Sequence, residues 1–496
     1  MKKRALLSLL LALALLAGCA PAAEAPTPAP LPTAAASPTP TPDPTPSPTP
    51  EPPDHGDPAD FYQFLSEVNA ARKAITTQGE PIDISPYTPD FHEQNQTFTE
   101  AEMEVLTTRH SPKANLTKDD LLADADTFFT LLQTTYGAYY YFGGDDTFFP
   151  IRDAVKEELA AMDSPTVQDL NNVLYRHLSP VLIDGHFTLG SHAMRDAHTQ
   201  FMYYVPGVYL DSLDGVENPD YLKPTIGPDG RICWWYAAIS GSVRDLPDIL
   251  DGRPLAWRQA GRLSQNGKVL AFDESEWEGV PILISRRMTA SLVNGSQDPD
   301  GLEALERLTS CGEEYAGSPL LIFDVRGNSG GSDQYIMQWF KGWAGTGDPT
   351  RGAGAHRYSQ LSCRIMGNDY YPAKRMGTWG GSLREGTWVE RSGPVFVLLD
   401  KGVASSGETA VEFFRMAADT LFVGGPTLGC ALVPNNINLY LPHSGLPCYF
   451  GTGLLFCETD ENRDGVGYLP DLWVEPTKAL DAVERLIEYY GLNTAQ

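Results

Sequence analysis

The sequence has few basic residues. Its 36 lysines and arginines stand against 64 aspartates and glutamates, which gives a formal net charge of −28. Proteins that bind nucleic acid neutralise its phosphates with lysine and arginine. The charge balance therefore argues against a nucleic-acid partner and predicts a folded body that anionic surfaces repel.

Long hydrophobic runs are also missing beyond the N-terminus, where no segment approaches the roughly 18 apolar residues of a transmembrane helix. The chain starts with three basic residues after Met1, then an apolar run over 5–17 and Leu-Ala-Gly-Cys ending at Cys19. This pattern predicts a signal peptide over residues 1–18. Leu-Ala-Gly-Cys resembles a bacterial lipobox, which implies a lipid on Cys19 as the only membrane anchor. An ordinary signal peptide with a chance cysteine is the alternative.

Cysteine is scarce as well, with seven in the whole chain including Cys19. The predicted secretion permits disulfides, and Cys448 and Cys457 are placed so that they could bridge a hairpin. No cysteine spacing is typical of a zinc site. The sequence therefore predicts no cofactor.

Composition and periodicity divide the chain into regions. Residues 19–56 are mostly Pro, Thr, Ala and Ser, which favours an extended linker. A helical region is predicted over 57–190, a mainly β insertion over 191–315 and an α/β core over 316–496. The predicted fold class is α/β (α+β).

Local signals place individual helices in the helical region. Thr117 and Asp120 have the spacing of a capping box, and apolar residues follow at helical intervals. We expect a second helix to open at Pro150, because proline favours the first helical position. A third is predicted from Pro165 to Leu178.

Alternating patterns continue to the C-terminus. In the insertion, strands are predicted over 201–208 and 232–239, and a helix over 302–308. The core is predicted to contain strands 319–323, 395–399, 420–423, 437–441 and 453–457 and helices 333–343, 408–417 and 479–490.

Two short segments follow predicted buried strands and precede predicted helices. They are Asp-Val-Arg-Gly-Asn-Ser-Gly-Gly at 324–331 and Val-Ala-Ser-Ser-Gly-Glu at 403–408. A serine on a strand-to-helix turn has an exposed hydroxyl and free backbone amides nearby. Ser405 is therefore the candidate nucleophile.

Together, these segments resemble the tail-specific, carboxyl-terminal-processing serine peptidases, a family that includes the tricorn core and the interphotoreceptor retinoid-binding repeats. The resemblance spans roughly 118–476. It includes Asp-Gly-His-Phe at 184–187, Gly-Gly-Pro-Thr-Leu-Gly at 424–429 and Gly-Val-Gly-Tyr-Leu-Pro-Asp at 465–471. It implies a ClpP/crotonase-like core and acyl-enzyme cleavage of polypeptides. No PDZ carboxylate-binding loop is evident before residue 316.

The resemblance also bears on how Ser405 would be activated. Many family members place a lysine 25 residues after the serine, where this chain has Cys430. A thiol is a poor substitute for a desolvated lysine base. The other route in the family uses a histidine from the Asp-Gly-His segment, and His186 matches it.

In that route an acidic residue steadies the histidine. Counting six residues back from Pro470 gives Asp464, and Glu461 is the alternative. A competing interpretation is a calcium loop, since Asp460, Asn462, Asp464 and Asp471 have the spacing of its ligands. The expected glutamate at its twelfth position is replaced by aspartate.

The oxyanion hole would consist of backbone amides. The Ser406 amide is one expected donor and Gly330 the other, with Ser329 as the alternative. Arg326 and Asn328 are interpreted as braces of the glycine-rich turn.

Two functions follow from these patterns. The first is a lipid-anchored serine endopeptidase on the extracytoplasmic side of a bacterial cell envelope, with a Ser-His-Asp/Glu triad. The second is a catalytically inactive binding or scaffold lipoprotein on the same fold.

Overall fold

The protein is represented by a computed structural model that describes residues 55–79, 82–91, 97–264, 269–291, 296–367, 371–459 and 461–493. Contacts group Asp54–Gln496 into one compact unit. The predicted signal peptide, Cys19 and the linker up to residue 54 lie outside the described residues.

The helices of the described residues are α1 (Pro58–Gln78), α2 (Glu100–Thr107), α3 (Lys118–Thr135), α4 (Gly144–Ala161), α5 (Val167–Leu178), α6 (Pro299–Ser310), α7 (Asp333–Ala344), α8 (Gln360–Met366), α9 (Ser406–Arg415) and α10 (Ala479–Tyr490). Within the same ranges, none is long and apolar enough to span a membrane.

The strands are β1 (Thr188–Leu189), β2 (His192–Ala193), β3 (Phe201–Leu210), β4 (Leu222–Ile226), β5 (Ile232–Ser240), β6 (Ile249–Leu250), β7 (Arg253–Pro254), β8 (Arg258–Gln259), β9 (Phe272–Trp277), β10 (Val280–Ser285), β11 (Leu321–Asp324), β12 (Arg351–Arg357), β13 (Trp379–Glu385), β14 (Val395–Leu399), β15 (Thr420–Gly424), β16 (Asn436–Tyr440), β17 (Pro447–Gly451), β18 (Gly453–Cys457) and β19 (Leu472–Trp473).

A six-stranded sheet in the order β19-β15-β14-β11-β10-β9 forms the centre of the fold. All of its pairings are parallel except β9 with β10. In a parallel sheet both faces are covered, so its strands are apolar throughout. The five residues of β14 are all buried, as this arrangement requires.

Helices cover both faces of this sheet. Val395 and Val397 of β14 share one hydrophobic cluster with α6, α7 and α9. Phe396 and Leu398 point to the opposite face and share a second cluster with α1 and α10. This alternation makes a three-layer α/β/α core.

Smaller sheets complete the unit. The sheet β16-β17-β1-β2 packs with α3, α4 and α5 in a third hydrophobic cluster. The sheet β4-β5-β3-β8 comes from the region predicted as an insertion, but β9 and β10 of that region belong to the central sheet. A PDZ domain is not evident in the described residues. The mixed α/β fold class is confirmed.

The helix predicted to open at Pro150 instead begins at Gly144, and Pro150 lies inside α4. Gly143, with φ of 100°, allows the chain to turn into the helix before Gly144, ahead of the proline. The capping box of Thr117 and Asp120 is present at the start of α3. Cys448 and Cys457 are free thiols, so the suggested bridge between them is wrong. They belong to different sheets.

Candidate active site

Ser405 lies on the turn between β14 and α9 with a backbone conformation that is rare for a residue with a side chain. Its φ is 53° and its ψ is −126°. Strain of this kind is typical of the sharp strand-to-helix turn that exposes a nucleophilic serine. The next amide, of Ser406, starts α9 and has no hydrogen-bond partner among the described residues. The local geometry thus presents a hydroxyl beside a free donor.

The glycine-rich turn after β11 contacts the serine turn directly. The Ala404 amide donates to the Asn328 carbonyl at 2.9 Å. Gly330 has a φ of 99°, and a Cβ there would be 2.7 Å from the Ser405 Cβ. Only glycine fits such an approach at this φ. Both turns follow neighbouring parallel strands, so the adjacency is a consequence of the sheet order.

The structure corrects the predicted oxyanion donor. The Gly330 amide donates to the Asn328 Oδ1 at 2.9 Å and is therefore occupied. The amides of Ser329 and Gly331 have no partner among the described residues, and both residues line the cavity that contains Ser405. Gly331 also lines the adjoining recess with Ser405 and Ser406. Gly330 is therefore replaced as the candidate second donor by Gly331, with the predicted alternative Ser329 still available.

Arg326 and Asn328 brace this turn, as predicted. The Arg326 guanidinium donates to both Asp324 carboxylate oxygens, at 2.8 and 2.7 Å. The Asn328 amide nitrogen donates to the Ser285 hydroxyl at 3.0 Å. Both side chains are buried and fully engaged, so they position the turn and are not open to a ligand.

His186 and Ser405 line the same cavity, which has a volume of about 900 Å³. No hydrogen bond joins them in the described structure. Burial, and secondarily the charge of Arg195, lowers the pKa of His186 to about 4. The Nδ1 atom is buried without a partner, so Nε2 is the ring nitrogen that the cavity can reach. At neutral pH the ring is uncharged and able to accept a proton.

Asp464 lies next to this histidine but does not bind its ring. Its Oδ2 accepts the Gly185 amide at 2.8 Å, and its Oδ1 accepts the amides of Ala431 and Leu432 at 3.0 and 3.2 Å. Burial raises the pKa of the carboxyl. Asp464 thus holds the backbone immediately before His186 and ties it to the following loop. A direct bond from the ring, as in a triad, is not present.

Glu461, the alternative acid, is exposed. It lines a small recess together with Asp464, and neither Ser405 nor His186 lines that recess. The structure therefore does not bring Glu461 and the His186 ring together.

Asp184 is a second buried carboxylate in the histidine segment. It accepts the Tyr136 hydroxyl at 2.8 Å and the amides of His186 and Phe187 at 2.8 and 3.2 Å. Burial, with the nearby Asp464 charge, raises the pKa of Asp184 to about 7. Sequence reasoning did not single out this residue. Its position two residues before a candidate base was the available signal.

Cys430 occupies the position of the family lysine and lies against the histidine segment. A Cβ on Gly185 would be 2.6 Å from the Cys430 Cα. Burial, followed by the charge of Asp464, raises the pKa of the thiol well above its usual range. The thiol is therefore protonated at neutral pH and does not serve as base or nucleophile.

Glu408 joins the start of α9 to the Cys430 loop. It accepts the Thr427 hydroxyl at 2.5 Å and the amides of Gly429 and Cys430 at 2.9 and 2.7 Å. Burial raises the pKa of Glu408 to about 7. This carboxylate fixes the loop opposite the nucleophile.

Lys401 also lines the cavity, although sequence reasoning gave it no role. Its Nζ donates to the carbonyls of Thr427, Leu428, Gly465 and Val466 at 2.9 to 3.3 Å. Burial lowers the pKa of Lys401 to about 8. The ammonium thus ties two loops to the turn that carries the serine. No spacing rule would have revealed these carbonyl partners.

The calcium ligands suggested by the sequence do not converge in the described residues. Asp471 pairs with Arg72 at 2.5 Å, and both oxygens of Asp464 accept amides. The Asn462 Oδ1 accepts the Asp464 amide at 2.8 Å. Asp460 lies outside the described residues. The search of the described residues finds no group of acidic, histidine or cysteine side chains that could hold a metal ion.

Comparisons with known proteins extend these observations. The model of peptidase family S41 matches residues 294–472. No curated protein matches the sequence.

Several solved structures are similar to this chain. One is CPAF complexed with lactacystin, at 15% identity and a TM-score of 0.41, where the match covers 76% of this chain and 97% of that chain. A second is a lipoprotein from Streptococcus agalactiae, at 12% identity and a TM-score of 0.36, with 74% of this chain and 96% of that chain covered. A third is the photosystem II D1 C-terminal processing protease, at 13% identity and a TM-score of 0.35, with 74% of this chain and 97% of that chain covered. The family match covers both the glycine-rich turn and the serine turn. Residues 294–472, which contain both turns, are therefore similar to peptidase family S41.

Proposed function

We propose that the protein is a serine endopeptidase in which Ser405 is the nucleophile and His186 the general base. The family match supports a serine peptidase acting on polypeptides. The observation that carries the residue assignment is the strained turn of Ser405. It exposes the hydroxyl to a cavity shared with His186 and sits beside the free Ser406 amide.

In the proposed mechanism, the Ser405 Oγ attacks the carbonyl carbon of the scissile peptide bond. The Oγ proton passes to Nε2 of the neutral His186 and then to the leaving amine as the C–N bond breaks. The Ser406 and Gly331 amides stabilise the oxyanion. Water then hydrolyses the acyl-enzyme by the same proton route. Contact between Ser405 and His186 tightens when substrate excludes water, as apo sites commonly require.

Asp464 has a positioning role in this proposal. It holds the Gly185 amide and the 431–432 amides, and so fixes where the His186 ring lies. With no acid on Nδ1, the imidazolium formed during catalysis lacks the stabilisation that a triad provides.

For localisation, we propose secretion, lipid attachment at Cys19 and an extracytoplasmic position at a bacterial membrane. The support is the order of segments at the N-terminus, where basic residues are followed by an apolar run and then by Leu-Ala-Gly-Cys. Metabolic labelling with a fatty acid analogue tests it. Label should be lost in Cys19→Ala and retained in Cys448→Ala, which removes a cysteine that is buried in the folded unit.

A second candidate function is a binding lipoprotein without catalysis. The specific observation in its favour is the missing hydrogen bond between Ser405 and His186, together with the unpartnered Nδ1. A peptide-library cleavage assay separates the two. We expect cleavage by wild type and by Ser406→Ala, which keeps the backbone amide of residue 406, and none by Ser405→Ala. Wild type that is folded and cleaves nothing would favour the binder.

A further inference from the structure

The cavity of Ser405 is more basic than the rest of the chain. Arg195, Arg262 and Lys401 line it, whereas Asp196 is the one acidic lining residue among the described residues. The chain as a whole has a formal charge of −28. A concentration of cations in the cleft of an acidic protein favours an anionic ligand there.

Two of the cavity cations are already engaged. Lys401 donates to four carbonyls. Arg195 donates to the Gly185 carbonyl at 3.0 Å and lies 4.0 Å from an Asp196 oxygen. Arg262 is exposed on the cavity wall and has no hydrogen bond or ion pair with the described residues. Its guanidinium is therefore the cavity cation with all its donors available.

The backbone around Arg262 is held in place by carboxylates of other segments. The Gly261 amide donates to the Glu475 Oε1 at 3.0 Å, and the Leu263 amide donates to the Asp400 Oδ2 at 2.7 Å. Asp400 also accepts the Gly327 amide at 2.8 Å, which links this segment to the glycine-rich turn. Arg262 is thus anchored relative to the catalytic turns although its side chain reaches solvent.

We propose that Arg262 binds a carboxylate of the polypeptide that enters the cavity, namely the side chain of a glutamate or aspartate near the bond to be cleaved. This rests on the proposed function. A guanidinium matches a carboxylate with two parallel hydrogen bonds. For a pair that remains partly exposed, about a twofold to fivefold preference for a glutamate over a glutamine peptide is expected at low salt.

The test uses peptide binding to full-length Ser405→Ala protein, so that it does not depend on cleavage. Immobilised protein is exposed to C-terminally amidated random peptide pools with Glu, Gln or Lys fixed at each position in turn. A fourth pool has Gln and a free C-terminus, which separates a side-chain carboxylate from a terminal one. Arg262→Gln, Arg262→Glu and the control Arg253→Gln, an exposed arginine on β7, are compared.

The proposal predicts preferential retention of a Glu pool, loss of that preference in Arg262→Gln, reversal toward Lys in Arg262→Glu and no change in Arg253→Gln. Equal retention of all pools, retention of none, a preference only for the free C-terminus, or a Glu preference that survives Arg262→Gln would each overturn it. If Ser405→Ala prefers the Glu pool but wild-type protein cleaves no peptide, the role of Arg262 in binding would be upheld and the peptidase function rejected.

Discussion

The pH dependence of cleavage should reveal the unusual state of His186. The base must be neutral to accept the Ser405 proton, so kcat/KM rises with pH through the pKa of the ring. That pKa is lowered from 6.5 to about 4 by burial and by Arg195. The shift means that protonation of the His186 ring is about 3 kcal/mol less favourable in the folded protein than for a free histidine.

These values separate two mechanisms. With a pKa near 4, about 90% of the plateau kcat/KM remains at pH 5, whereas an ordinary histidine would leave about 3%. An ionised acid bound to Nδ1 would move the pKa above 6.5. In Arg195→Gln the acid limb should move upward but stay below 6.5, because burial is the larger cause.

The assay is the initial rate on a cleavable peptide between pH 4 and 8, with thermal melts at each pH as a control for folding. The raised pKa values of Asp184 and Glu408 mean that the folded state holds their protons more tightly. Acidification from pH 7 to 5 therefore stabilises the fold through these groups, and the lowered pKa of His186 opposes this below 6.5. An acid limb at or above 6.5 would refute the unpartnered ring, and NMR titration of His186 in Ser405→Ala would check it independently.

Three further variants test the contacts around the site. Asp464→Ala leaves two buried amides and one partly buried amide unsatisfied, so it should lower the free energy of unfolding by about 3 kcal/mol and reduce kcat. The exposed Glu461→Ala should change neither quantity, as measured by denaturant titration and initial rates. Equal effects of the two would contradict the positioning role. Lys401→Met removes a charged donor from four carbonyls, so it should lower the free energy of unfolding by about 2 kcal/mol and reduce kcat. An unchanged thermal melt would show that the ammonium does not stabilise the fold. Arg72→Met leaves the Asp471 carboxylate unpaired and should lower the free energy of unfolding by about 3 kcal/mol, which thermal melts would detect. A chelator should not alter the melt of wild type, and a chelator-sensitive melt would support the calcium loop.

The sequence predicted the core well because each local signal agreed with the tertiary structure. The apolar run 395–399 is β14 to the residue, and the closing helix 479–490 is α10. Both predictions depended only on periodicity and on turn residues. Pro150 misled the prediction of α4, because the fold accommodates a proline within the helix and opens it at a left-handed glycine.

The site was predicted only in part, because hydrogen bonds across the fold are not written in local sequence. Family spacing led to Ser405 and His186, which line the same cavity in the structure. Spacing could not show that Asp464 would bind amides rather than the ring, or that Asn328 would occupy the Gly330 amide. The Asp464 contact with the Gly185 amide joins residues 279 apart in the chain. The Asn328 contact with the Gly330 amide is local, but it depends on the conformation of the Asn328 side chain, which spacing does not give.

Covalent labelling of Ser405 by a fluorophosphonate tests the central claim most directly. The reagent traps a serine only when its hydroxyl is activated and an oxyanion site is present. We predict one adduct, located by mass spectrometry on the tryptic peptide that contains Ser405. It should be absent in Ser405→Ala, slowed in His186→Ala and unchanged in Ser406→Ala. An unlabelled but folded wild type, or full-rate labelling of His186→Ala, would contradict the account.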